Sequence, residues 1–203
     1  MTVHEFTTTK KRSGTSWELY AQSITAMLNS LVVTDRSGNE MRREAGFRIW
    51  CDWTRQAQIT QGSLFFVGNG ASAAMASHTA TDVGKSARVR TQVFTDPALM
   101  TAVANDVEYA EVFAEPLSWM MNAGDVLVAI SSSGNSTNVI RAVAKARERK
   151  GHSVTLSAMQ PGNTLRHTGE LNFYLPAMTY GLAETTHAAI LHHWVDRLAP
   201  LDR

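Results

Sequence analysis

Ser63-Leu64-Phe65-Phe66-Val67-Gly68-Asn69-Gly70-Ala71-Ser72 decides the fold. A short run of apolar, aromatic and branched residues, Leu64–Val67, reads as a buried strand. A Gly-Asn-Gly turn follows, and Ser72 opens an alanine-rich helical stretch that runs to Val83. Strand, glycine turn and helix in that order build an anion site. The turn exposes backbone N–H groups, and the helix N-terminus adds partial positive charge.

Outward from this unit the pattern alternates. Strands are expected at Arg90–Phe94, Val126–Ile130, Ser153–Leu156 and Leu171–Leu175, and helices at Val107–Met121, Ser136–Lys150 and Leu182–Leu198. Alternating strands and helices imply a parallel sheet with helices on both faces. Two helices precede the first strand. Ser16–Val33 carries Trp17, Leu19, Tyr20, Ile24, Met27, Leu28 and Leu31 at steps of three and four. Glu40–Thr60 carries Met41, Ala45, Phe47, Ile49, Trp50, Trp53 and Ala57, and Asp35–Asn39 is the turn between them.

A second strand–loop–helix unit repeats the logic. Val126–Ile130 is a continuous apolar strand, as expected where helices cover both sheet faces. It ends in Ser131-Ser132-Ser133-Gly134-Asn135-Ser136-Thr137-Asn138. No lysine follows the glycine turn, so this is not a nucleotide P-loop. Serines and a glycine at a strand's carboxyl end can instead surround a phosphate with hydroxyl and backbone donors. Ser136 is placed to cap the next helix. Ligands of open α/β sheets sit at the carboxyl ends of the strands.

Composition bounds the reading. The chain has 203 residues and a formal net charge of +1 with neutral histidines, which argues against nucleic acid as the main partner. No apolar run approaches a membrane span. Met1–Thr15 lacks an apolar core, reads as a flexible tail and is no secretory signal. The single cysteine, Cys51, lies between Trp50 and Trp53 as a packing residue and fits a reducing compartment, so a cytoplasmic location is expected. Residues 16–203 are expected to form one domain, with 16–60 as leading helices and 63–198 as the sheet and its flanking helices.

Two groups of titratable residues accompany the loops. His78 and Asp82 are four apart on the helix after Ser72, about 6 Å along its axis. Such a pair serves as a metal or acid–base site, or as an ordinary surface i,i+4 pair. Near the C-terminus stand Glu184, His187, His192 and His193. This is not a zincin motif, because order and spacing differ. Glu184 and His192 are about 12 Å apart along a regular helix.

Gly68-Asn69-Gly70-Ala71-Ser72 with His78, then Ser131–Val139, then Glu184-x-x-His187-x-x-x-x-His192 together resemble the sugar isomerase (SIS) domain, and within it the sedoheptulose-7-phosphate (phosphoheptose) isomerase family. Asp96 and Asn105-Asp106 match its middle segment. The resemblance runs from Ser16 to about Leu198. It implies a three-layer α/β/α sandwich with a five-stranded parallel sheet preceded by two N-terminal helices, assembled as a homotetramer with active sites between subunits. It implies that Ser72, Ser131, Ser132, Ser133 and Ser136 bind the substrate phosphate and nearby hydroxyls. Asn69, Gly70 and Asp96 would contact the sugar. His78, Asp82, Glu184 and His192 would hold a metal, zinc or another divalent cation, with Asp82 and His192 as the acid–base pair.

This chain departs from the family at three positions, with Asp82 for glutamate, Glu184 for glutamine and Ala71 for glycine. The shorter Asp82 draws the carboxylate back by about 1.5 Å. The added charge of Glu184 gives two imidazoles and two carboxylates, a set that suits zinc. The implied reaction is isomerisation of sedoheptulose 7-phosphate to D-glycero-D-manno-heptose 7-phosphate through an enediol. The alternatives are isomerisation of another phosphosugar, a non-catalytic SIS-domain phosphosugar sensor, or a replication-initiator-binding protein.

Overall fold

The structure, a computed structural model, describes residues 16–198. The expected tail Met1–Thr15 lies outside the described residues. Five parallel strands form the centre: β3 (Ser63–Gly68), β4 (Arg90–Val93), β5 (Val126–Ser131), β6 (His152–Ala158) and β7 (Leu171–Leu175). Their order is β7-β6-β5-β3-β4, and each neighbouring pair is parallel. All five stand where the sequence places strands, within about two residues at their ends.

The sheet has two further strands. β1 (Val32–Asp35) and β2 (Glu40–Met41) form a short antiparallel hairpin, and β1 pairs antiparallel with β7. The first leading helix, α1 (Trp17–Asn29), therefore ends before Val32 rather than reaching Val33. The β-branched pair Val32-Val33 favours the pleated surface, and Val33 is buried. The Asp35–Asn39 turn closes a hairpin instead of linking two helices. The Asn39 N–H donates to Asp35 Oδ1 at 2.9 Å, and the side-chain amide donates to Oδ2 at 2.9 Å. The second leading helix, α2, spans Arg43–Ile59.

The helix expected at Val107–Met121 is broken differently. α4 (Pro97–Asp106) comes first, capped by Asp96 with Pro97 in its first turn. A 3-10 turn at Tyr109–Glu111 and the short α5 (Ala114–Met120) follow. The remaining helices, α3 (Ala71–Ala87), α6 (Thr137–Glu148) and α7 (Tyr180–Leu198), agree with expectation within about two residues at their N-termini.

Alternate strand residues enter opposite layers, as the two-residue period of a strand requires. Leu64, Phe66, Val126, Val128 and Ile130 pack with Trp50 of α2, Ala76 and Ala80 of α3, and Trp194 of α7. Phe65, Val67, Leu127 and Ala129 pack with Val103 of α4, Leu117 of α5, and Val139 and Val143 of α6. The three layers of the expected sandwich follow. Trp50 and Trp194 stack at 4.1 Å between ring centroids, which ties α2 to α7. Cys51 is buried, and burial raises its thiol pKa, in keeping with a packing role.

Candidate active site

The two loops read from the sequence meet at the carboxyl ends of β3 and β5. They border a cavity of about 180 Å³ lined by Asn69, Ser72, Ile130, Ser131, Ser132, Ser133, Ser136, Tyr180 and Glu184. Gly68 ends β3 where it runs against α3. A Cβ there would lie 2.7 Å from Ser72 Cβ, so only glycine lets strand and helix approach this closely. Gly70 occupies the cap position of α3, beside the lining residues.

Hydroxyls and amides wire the loops together. Ser131 Oγ lies 3.1 Å from Ser136 Oγ and accepts the Gly134 N–H at 3.2 Å. Ser133 Oγ accepts the Asn135 N–H at 3.3 Å. Ser136 sits at the cap position of α6, but its side chain makes no capping hydrogen bond and turns to Ser131 instead. Asn69 and Asn138 exchange two amide hydrogen bonds, both 2.9 Å, across the gap between α3 and α6. The Tyr109 hydroxyl donates to Asn69 Oδ1 at 3.3 Å. Ser132 differs from its neighbours. Its hydroxyl is buried without a hydrogen-bond partner among the described residues, and its carbonyl accepts the Ala158 N–H at 3.1 Å.

The titratable group assembles further along the same helices. His78, Asp82 and His192 bring three donor atoms within 4.8 Å of one another. His78 Nε2 lies 3.2 Å from Asp82 Oδ2, Lys85 Nζ lies 3.5 Å from Asp82 Oδ1, and the two imidazole rings meet edge to face at 5.3 Å. The small residues Ala76 and Ala80 are buried and let α3 lie close beside its neighbours. Two imidazoles and a carboxylate are a nitrogen–oxygen set suited to a first-row divalent cation, and three protein ligands leave a position open. These residues therefore fit a metal.

Glu184 stands apart from that trio. It lines the serine cavity at the start of α7. Asp96 is also placed elsewhere: it caps α4, its Oδ1 accepting the Leu99 N–H at 2.9 Å, and it does not line the cavity. His193 is exposed and packs edge-on against Phe47 at 4.7 Å. His187 is fully buried with neither ring nitrogen hydrogen-bonded, and burial lowers its pKa to about 4.

A family model described as SIS domain matches residues 51–157, which include both loops. The phosphoheptose isomerase of Coxiella burnetii (strain RSA 493 / Nine Mile phase I) is 33% identical over 145 residues, covering 68% of this chain and 73% of the relative. The chain belongs to the phosphoheptose isomerase family of SIS-domain proteins. The phosphoheptose isomerase of Neisseria gonorrhoeae superposes on it with a TM-score of 0.73 at 29% identity, over 88% of this chain and 94% of that one. A phosphoheptose isomerase of Francisella tularensis shares the fold with a TM-score of 0.76 at 20% identity, over 90% and 93% of the two chains. Seen within the family, the site contains three residues that the sequence alone did not mark. Tyr180 lines the cavity, and Asn138 and Tyr109 hold Asn69. Asn138 carried a signal, since it lies in the first turn of the helix that the serine loop opens. Tyr180 and Tyr109 carried none, because each meets the site only through tertiary packing.

Proposed function

We propose that the protein is a phosphoheptose isomerase that interconverts sedoheptulose 7-phosphate and D-glycero-D-manno-heptose 7-phosphate. One observation carries the reading: the serine cavity and the His78–Asp82–His192 trio are joined by the same two helices. Ser72 precedes His78 by six residues on α3, and Glu184 precedes His192 by eight on α7. Those steps amount to about 9 and 12 Å of helix rise. An extended seven-carbon sugar phosphate spans about 10 Å from C1 to phosphorus at about 1.2 Å per bond. A phosphate in the serine cavity thus leaves the reacting carbons near the trio.

The chemistry moves two protons, one from C1 to C2 and one from the C1 oxygen to the C2 oxygen. A base takes a proton from C1 of the ketose, the C–H electron pair forms the C1=C2 bond, and the C2=O π pair moves to the C2 oxygen to give an enediolate. A proton passes from the C1 hydroxyl to the C2 oxygen, and return of a proton at C2 gives the aldose. Asp82 and His192 are the proposed acid–base pair, within reach of each other and of solvent. Ser72, Ser131, Ser133 and Ser136 bind the phosphate through hydroxyls, Ser132 through its backbone, and Asn69 and Gly70 hold the sugar. Binding energy from the phosphate, remote from C1 and C2, fixes the reacting carbons. Zinc is the proposed occupant of His78, Asp82 and His192, and bound there it would polarise the sugar carbonyl.

The proposal extends to assembly and location. Trp17 and Leu19 on α1 are 75% and 55% exposed, an apolar surface suited to burial against other copies in a homotetramer. His78 and His192 face outward, where a second subunit can complete the site. Residues 16–203 form one SIS domain in this reading, acting in the cytoplasm; no helix among the described residues is long and apolar enough to cross a membrane.

Steady-state kinetics on sedoheptulose 7-phosphate test the roles. His192→Ala is expected to lower kcat by about 10²-fold or more, whereas Ser133→Ala is expected mainly to raise KM. Unchanged kcat in His192→Ala would refute the assignment.

A further inference from the structure

The serine loop is held from outside as well as by its own hydrogen bonds. Gly134, at its tip, has φ +66° and packs on Asn163 so closely that a Cβ would lie 1.9 Å from Asn163 Oδ1. The Gly134 carbonyl accepts the Leu165 N–H at 2.8 Å, and the Ser132 carbonyl accepts the Ala158 N–H at 3.1 Å. Asn135 Oδ1 accepts the Thr164 N–H at 3.0 Å. Three hydrogen bonds therefore clamp residues 132–135 to the end of β6 and the segment that follows it.

That segment is in turn organised by one side chain. Asn163 is 1% exposed. Its amide donates to the Ala158 carbonyl at 3.1 Å and to the Gln160 carbonyl at 2.8 Å, and its Oδ1 accepts the Arg166 N–H at 3.0 Å. Every bond closes the turn from 158 to 166 on itself, while the Asn163 side chain packs against Gly134. Met159 in the same turn holds a left-handed φ of +61°, and its carbonyl is pinned by the Tyr174 hydroxyl at 2.7 Å. A non-glycine residue in this conformation persists only where its surroundings enforce it.

We propose that Asn163 is a positioning residue for phosphate recognition. It fixes the turn at 158–166, and that turn presses residues 132–135 into the geometry that places the Ser131, Ser133 and Ser136 hydroxyls. The proposal rests on the reading that the serine loop holds phosphate. Asn163 does not touch the ligand. Its effect reaches the phosphate through Gly134 and Asn135, so it governs affinity rather than proton transfer.

Isothermal titration of inorganic phosphate and of sedoheptulose 7-phosphate into the full-length protein tests this, alongside urea unfolding of the same samples. Asn163→Ala is expected to weaken both ligands about tenfold or more, in line with the loss of several buried hydrogen bonds, and to raise KM while kcat changes by less than about threefold. Asn135→Ala, an exposed substitution that removes only the bond from Thr164, should weaken both ligands by a smaller factor with an unchanged unfolding midpoint. Its result stands even if Asn163→Ala does not fold. Affinities equal to wild type in folded Asn163→Ala, or in Asn135→Ala, would overturn the positioning role whatever the change in stability. Failure of the wild-type protein to bind either ligand would overturn the phosphate reading itself, and the proposal with it.

Discussion

His187 makes the stability of this protein depend on acid in a calculable way. Its imidazole is fully buried on α7, and neither nitrogen is hydrogen-bonded. Burial lowers its pKa from the ordinary 6.5 to about 4, because the charged form loses its hydration and the nearby Ser157 backbone offsets only part of that loss. Above pH 6.5 the ring is neutral in both folded and unfolded chains and has no linkage effect. Between pH 6.5 and 4 the unfolded chain binds a proton that the folded chain refuses, so stability falls as pH falls. Below about 4 both states are protonated and the loss is complete. At about 1.4 kcal/mol per tenfold difference in proton affinity, the full loss is roughly 3 kcal/mol. Urea unfolding at pH 8, 6.5, 5 and 4 measures it, with the stacked Trp50 and Trp194 as fluorescent reporters in the same core. His187→Leu serves as the reference, since leucine does not titrate and leaves no unpaired nitrogen. The difference between wild type and His187→Leu should be flat above pH 7 and should shift against the wild type by up to about 3 kcal/mol by pH 4. A difference independent of pH would show that His187 is not a neutral, buried, unpaired base.

Three further outcomes follow from particular contacts. Gly134→Ala places a methyl group against the Asn163 amide at a left-handed φ, and should cost about 2 kcal/mol or more in urea unfolding while weakening phosphate binding. Glu170 is held below its ordinary 4.5 chiefly by its hydrogen bond to His152 at 2.8 Å, with Arg36 at 3.1 Å adding to it. Its contribution is present above pH 4.5 and is lost as pH falls through the lower folded value, so the advantage of wild type over Glu170→Gln in thermal melts should shrink below pH 4.5. Ser136→Ala removes the hydroxyl that meets Ser131 at 3.1 Å, and should raise KM for the sugar phosphate several-fold with little change in kcat.

The central sheet was legible because β3, β5 and β7 are short apolar runs between glycines and polar loops, and strands alternate with helices around them. The hairpin at 32–41 was not. Val32 and Val33 extend the apolar steps of α1, and their strand partner, Phe173 and its neighbours on β7, lies far along the chain. α4 carried a readable start, Asp96 followed by Pro97, which the family resemblance had assigned to sugar contact instead. For the site, spacing revealed His78 with Asp82, and the serine run revealed the loop that borders the cavity. The family resemblance joined His192 to them, and the packing of α7 beside α3 brings the three side chains together. Glu184 shows the limit of spacing along a helix: it belongs to the cavity wall, two turns from the trio it was expected to complete. Asn163 is polar and lies in a loop, and nothing local distinguishes it from a surface residue. Its importance is visible only in the bonds that it closes.

The most direct measurement follows sedoheptulose 7-phosphate by NMR in deuterated buffer with the purified protein. The mechanism predicts conversion to the aldose heptose 7-phosphate with solvent deuterium entering at C2, slowed by about 10²-fold or more in His192→Ala. Tight binding of sedoheptulose 7-phosphate by the wild-type protein without any aldose formed would contradict it.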